Sequence, residues 1–377
     1  MAFQTISETS LQNKMSQKKL LRPVALYLPQ FHPIPENDKF WGKGFTEWTN
    51  VTKAKPLFSN HYQPHQPTDL GYYDLRLPEI LIAQAKMAIS YGIDGFCFYH
   101  YWFNGKKVLE KPIEQMLRSK KPDFPFCLCW ANENWTRRWD GLEQEVLLQQ
   151  KHSTKDDEAH FEYLLPFFKD ERYIKVNNKP VFFIYRTELF PNIKSTTRLW
   201  RNLAQKNGFD LYLINVEGHK KGVSPELVGC DAGLFFQPDW LIRAKRLKAN
   251  IFKKILHHSG LYSFPSVSNG IFDYPAHVYK TLKRKKANYK QYPSVVPMWD
   301  NTARRKEGAT IFLNSSPKMY EYWLSEEIKR FTPYSKDENL IIINAWNEWA
   351  EGNHLEPCQK YGHAYLEATK RAIDKYG

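Results

Sequence analysis

Leu340-Ile341-Ile342-Ile343-Asn344-Ala345-Trp346-Asn347-Glu348-Trp349-Ala350-Glu351-Gly352 decides how the rest of the chain reads. Its first four residues are a β-branched run without polar interruption, the signature of a strand buried on both faces. Two carboxylates then follow among indoles and an amide, three residues apart. An extended chain would send Glu348 and Glu351 to opposite faces, whereas a turn or helical start brings them together. Taken alone, the pair reads equally well as a helix cap beside a solvated charge or as two acids sharing a site.

Working outward, seven more apolar runs precede this one: Val24–Pro29, Ile93–Tyr99, Phe126–Trp130, Val181–Arg186, Leu211–Glu217, Ala232–Gln237 and Val295–Asp300. Helical spacing separates most of them, near residues 75–91, 112–119, 156–169, 196–207 and 319–330, with a last helix near 363–375. Eight strands alternating with helices predict an α/β fold of the (β/α)8 TIM-barrel type, for which 377 residues is an ordinary length. Polar aromatic clusters follow strands one, two, three, seven and eight, at the C-terminal ends where such a barrel builds its active site. A doubly wound sheet would not scatter chemistry around so many strand ends.

Composition agrees with a globular enzyme. The apolar fraction is 42%, and aromatics reach 15% with 12 Trp and 22 Tyr, which suits a cleft packing rings on sugar faces. No run approaches the ~18 apolar residues of a membrane span. Residues 1–22 are polar without a secretory apolar core and read as a flexible tail, leaving 23–377 as one catalytic domain. Five cysteines without CxxC or paired-histidine spacing read as buried thiols, and the expected location is cytoplasmic. Neither metal nor cofactor is expected. Between Leu241 and Lys290 twelve Lys/Arg stand against the single acid Asp273, a basic insertion between strands six and seven. Such a segment suits a phosphate-bearing or lipid-linked substrate or the inner face of an anionic membrane, or is a solvated face. It matches no RNA- or DNA-binding module, so nucleic acid is not an expected partner.

Two acids in an aromatic cleft suit glycosidic bond cleavage, one as proton donor and the other as base or nucleophile. A Walker loop, a GxSxG elbow and an HExxH helix are all absent, as is any Asp-x-Asp pair of a metal-dependent sugar-nucleotide transferase. A metal-independent glycosyltransferase and a non-catalytic glycan-binding protein stay open as alternatives. Glu47, Trp48, His100, Tyr101, Trp102, Trp130, Asn132, Glu133, Trp135, Trp299, Trp346, Asn347 and Trp349 are the expected substrate-binding residues.

The segments Ala25–Pro33, Gly44–Trp48, Gly92–Phe96, Tyr99–Phe103, Trp130–Trp135 and Trp346–Trp349 resemble the WbsX-like group of bacterial surface-polysaccharide loci, which is related to glycoside hydrolase family 99. The resemblance runs from about Pro23 to the C-terminus. It implies a (β/α)8 barrel that acts on α-mannosidic linkages with retention, through a 1,2-anhydro-sugar intermediate. It assigns Glu348 as the base that takes the 2-hydroxyl proton and Glu351 as the acid/base. Ala350 departs from the hydrolases, where a histidine is expected, so the catalytic pair carries over better than the substrate. The label of WbsX-like proteins implies glycosyl transfer, and an oligo- or polysaccharide as partner.

Overall fold

The computed structural model describes residues 21–137, 142–218, 223–240, 244–247, 259, 264–305 and 307–377, and all that follows concerns those residues. Eight strands form the barrel: β1 Arg22–Tyr27, β2 Gly95–Phe103, β3 Phe126–Trp130, β4 Lys179–Ile184, β5 Tyr212–Glu217, β6 Ala232–Phe235, β7 Gln291–Val295 and β8 Leu340–Ile343. Neighbours pair in parallel in chain order, and β1 pairs with both β2 (Val24 opposite Gly95) and β8 (Arg22 opposite Leu340). The sheet therefore closes on itself and has no free edge. The chain is a (β/α)8 barrel.

Helices coat the outside: α1 Pro78–Ser90, α2 Lys111–Ser119, α3 Thr154–Phe168, α4 Ile193–Lys206, α5 Tyr274–Leu282, α6 Pro317–Arg330 and α7 Ala364–Tyr376. Their starts follow from capping chemistry. The side chains of Ser153, Asn192, Asp273 and Ser316 each accept from a backbone N–H of the first turn of α3, α4, α5 and α6. Between β5 and β6 the described residues make the 3-10 turn Pro225–Val228.

Strand seven differs from its expected place. Val295–Asp300 is the more apolar run, but pairing with β8 ends at Val295 opposite Ile343, and the strand lies earlier, over Gln291–Val295. Pro293 inside it argues against a central strand in any reading of the sequence, because proline offers no ladder N–H. Trp299 and Asp300 thus lie beyond the strand end, on the loop that carries the site. There the Phe312 N–H donates to the Trp299 carbonyl at 2.8 Å, and Gly270–Asp273 pairs in parallel with Thr310–Leu313.

The basic segment contributes α5, the crossover helix that a barrel needs at this point. Lys283, Arg284, Lys285, Lys286 and Lys290 follow it and lead into the start of β7, at the end of the barrel opposite Glu348. Arg243, Lys248, Lys253 and Lys254 lie outside the described residues, as does the tail up to residue 20. All five cysteines are buried and unpaired. No described helix is long and apolar enough to cross a membrane.

The core between barrel and helices is aromatic. Trp200 on α4 is fully buried, with ring centroids 5.4 Å from Phe182, 5.7 Å from Trp130 and 5.3 Å from His160. Its Nε1 donates to the Asp157 carbonyl at 2.8 Å. Trp200→Ala is expected to cost about 3–5 kcal/mol, read as a lower urea midpoint with an unchanged slope.

Candidate active site

Beyond β8 the chain folds back sharply. Asn347–Glu348 pairs antiparallel with Asn353–His354, and the 3-10 turn Trp349–Glu351 lies between them. In a 3-10 turn residues i and i+3 eclipse, so Glu348 and Glu351 come to one side. Gly352 closes the turn at φ +54°, where a Cβ would stand 2.9 Å from the Asp300 carbonyl oxygen. The Asp300 N–H donates to the Glu351 carbonyl at 2.7 Å, which locks the β7 and β8 loops together. Only glycine allows both the left-handed backbone and that approach.

Arg304, on the β7 loop, joins the acids. Its Nη2 donates to Glu348 Oε2 at 2.8 Å, its Nη1 pairs with Glu351 Oε1 at 2.7 Å, and its Nε donates to Glu47 Oε1 at 2.7 Å. All three carboxyl groups and the guanidinium are largely withdrawn from water. Burial pushes the Glu348 carboxyl up; Arg304 pulls it back, while Glu351 and Glu47 push it further up. Glu351 is raised in the same way, by burial first, against Arg304 and with Glu47. Burial works against the charge on Arg304, yet the three carboxylates hold its pKa well above the usual arginine value. Two acids whose pKa values burial raises, beside a fixed cation, are suited to general acid–base work.

Beneath the turn lies a fourth carboxylate, Glu356, that serves the frame. It is buried and accepts from Trp349 Nε1 (2.6 Å), Gln84 Nε2 (2.6 Å), Trp346 Nε1 (2.9 Å) and Tyr73 Oη (2.9 Å). Burial raises its pKa to about 7, against those four donors. Asn347 pairs its amide with both backbone groups of Leu28, which splices the turn onto the end of β1. Trp349 stacks on His354 with centroids 3.7 Å apart. His354 Nδ1 faces the Glu356 carbonyl, which only accepts, so its Nε2 is the acceptor for His65 Nδ1–H at 2.9 Å. Burial lowers the pKa of both rings, that of His354 to about 4, which keeps them neutral.

The acids floor a cavity of about 580 Å³. Of the expected residues, Tyr101, Glu133, Trp135, Trp299, Glu348 and Glu351 line it. Glu47 acts behind it, through Arg304. The others are corrected. His100 and Trp102 alternate with Tyr99 and Tyr101 along β2, so they point outward: His100 meets His160 at 2.8 Å, and Trp102 donates to Asp156 at 2.9 Å. Trp130 is buried against His160 and Trp200. Asn132 exchanges both its amide bonds with the Arg186 backbone. Trp48, Trp346, Asn347 and Trp349 belong to the frame under the turn, where Trp48 donates to the Tyr73 carbonyl.

The sequence reading missed Arg304, Tyr99, Tyr185, Trp240 and Asn344, all of which line the cavity. Strand parity with Tyr101 was a usable signal for Tyr99. Asn344 Oδ1 and Trp299 Nε1 are buried without a partner among the described residues, and both belong to the cavity wall. No group of three or more described His, Cys, Asp or Glu is arranged to hold a metal ion.

Comparison with known proteins agrees with this architecture. At 41% identity, 93% of the chain matches WxcX of Xanthomonas campestris pv. campestris strain B100, and a second strain's WxcX matches at 40%. The matched region is 49% of those proteins, so the chain spans about half their length. Among solved structures, the GH99 endo-alpha-mannosidase from Bacteroides thetaiotaomicron superposes with a TM-score of 0.55 at 17% identity, over 94% of this chain and 97% of that one. A glycoside hydrolase-like protein gives 0.55 at 13% identity, over 94% of each. At those identities the likeness is one of fold. Residues 23–369 match the family described as Glycosyltransferase WbsX, and the chain belongs to that family.

Proposed function

We propose that the protein is a carbohydrate-active enzyme that breaks and remakes glycosidic bonds with retention, with Glu348 as base and Glu351 as acid/base. The observation that carries this reading is the pair of carboxyls, one buried and one partly exposed, on one guanidinium at the floor of an aromatic-walled cavity. In the first step the sugar's O2 gives its proton to Glu348 and attacks C1. The C1–O bond to the leaving group breaks as Glu351 protonates the departing oxygen. In the second step an incoming hydroxyl gives its proton to Glu351 and attacks C1. The C1–O2 bond breaks and Glu348 returns its proton to O2. Two inversions give net retention.

Back-side attack by O2 requires it to be trans to the leaving oxygen, as in an α-mannoside. Tyr99, Tyr101, Trp135, Tyr185 and Trp299 offer ring faces to the sugars. The family's description favours a sugar hydroxyl over water as acceptor, which the same two steps accommodate. The substrate would be an oligo- or polysaccharide of bacterial surface-polysaccharide metabolism, carried on a lipid or phosphate where the basic segment contributes.

Glu351→Gln and Glu348→Gln should each lower turnover of a responsive α-mannoside-containing oligosaccharide by about 10²–10⁴-fold, with the thermal midpoint maintained. Full activity in Glu351→Gln would refute the assignment. Calorimetry with a panel of nucleotide sugars should give no saturable heat. Tight binding of one of them would instead establish the sugar-nucleotide transferase reading.

A further inference from the structure

Arg304 carries more than an ordinary ion pair. It spends its Nε on Glu47 and keeps Nη1 and Nη2 for Glu351 and Glu348. Glu47 comes from the β1 loop at the start of the short helix Glu47–Lys53, is fully buried, and is tied to the end of β1 by its backbone N–H, which donates to the Gln30 carbonyl at 3.0 Å. The loop before Arg304 is pinned as well. Asp300 Oδ1 accepts from the Thr302 N–H and hydroxyl, and its Oδ2 meets His61 Nε2 at 2.5 Å. His61 Nδ1 already accepts from the Leu57 N–H, so the ring's proton is on Nε2 and points at Asp300. The guanidinium is therefore held from both sides.

The mechanism proposed above, on which this inference rests, moves charge in a particular way. As Glu348 gains a proton Glu351 loses one, so the pair's charge is constant while the negative end crosses from one residue to the other. A cation on Glu348 alone would hold the charge there and oppose the step. A cation in contact with both remains on the ionised carboxylate before and after it. We infer that Arg304 is a positioning residue that serves as the shared counter-charge of Glu348 and Glu351, and that Glu47 fixes its orientation by taking Nε.

The groups facing the pair come from every adjoining loop: Arg304 and Arg305 beyond β7, Glu47 beyond β1, Tyr99 and Tyr101 on β2, and Tyr185 beyond β4. The tyrosines are neutral at working pH because burial raises them. Arg304 thus lowers both carboxyls and Glu47 raises both, which gives the inference a signature of sign.

The test is a pH titration of the full chain labelled with carboxyl-¹³C glutamate, with the two signals identified by their loss in Glu348→Gln and Glu351→Gln. Arg304→Gln should move both midpoints to higher pH by about one unit or more, the usual size for loss of a neighbouring opposite charge. Glu47→Gln keeps an acceptor for Nε but removes an anion, and should move both to lower pH. Shifts in the same direction, or none in either variant, would overturn the inference. If Arg304→Gln does not fold, the Glu47→Gln titration decides alone, by a downward shift or its absence. Retained turnover in Glu351→Gln would instead sink the mechanism and leave these titrations as they are.

Discussion

One guanidinium largely withdrawn from water, shared by the buried carboxylates Glu47 and Glu348 and the partly exposed Glu351, sets the terms for the upper end of this barrel. An isolated charge withdrawn from water costs several kcal/mol, and it persists only when paired with good geometry on most of its donors. Arg304 meets that condition because the β1 loop delivers Glu47 and the β8 turn delivers both Glu348 and Glu351 to the point where the β7 loop places the cation. Glu47 and Arg304 are 257 residues apart, so their meeting depends on the barrel having closed. The supports follow from the same requirement. Gly352 lets the β8 turn approach Asp300, Asp300 holds the turn ahead of Arg304, and His61 holds Asp300. Weakening any of them would leave a charge buried with poorer partners.

The frame under the acids solves a different problem with the same means. Glu356 accepts four hydrogen bonds from neutral donors and pairs with no cation. Its role is geometric: two indoles, a phenol and an amide are fixed around it, and Glu348 rides on the turn they define. Asn347 extends this by copying a strand's pairing onto Leu28. Trp346, Asn347 and Trp349, which flank Glu348 in the sequence, thus give their polar hydrogens to the frame. They convert the end of a strand into a rigid platform.

Much of the fold was legible because parallel barrel strands are buried on both faces and show as unbroken apolar runs. Seven of the eight fell where those runs are. The eighth, Gln291–Val295, was displaced because Pro293 conceals a short strand and the next apolar stretch imitates one. Within the site the acids were legible from their spacing after a buried strand. The aromatics were not, since a run such as Tyr99-His100-Tyr101-Trp102 contains both a cavity wall and a helix interface. Only the two-residue alternation of the strand separates them. Arg304 gave no signal at all: Asn301-Thr302-Ala303-Arg304-Arg305 reads as a basic surface loop until the carboxylates around it are known.

The indole nitrogens draw the same line between wall and frame. An indole N–H has one hydrogen to give, and when buried it finds an acceptor inside the protein unless it is reserved for something else. Trp48, Trp102, Trp200, Trp346 and Trp349 all donate internally, to carbonyls or carboxylates. Each of these rings is part of the structure's support. Trp299 is as deeply buried, at 4% exposure, yet its Nε1 has no acceptor among the described residues and its ring lines the cavity. A buried donor left unmet costs about 1–3 kcal/mol. With its nitrogen closed off from solvent, the Trp299 ring can meet the cavity through its carbon surface alone, which sets it apart from the indoles that anchor the frame.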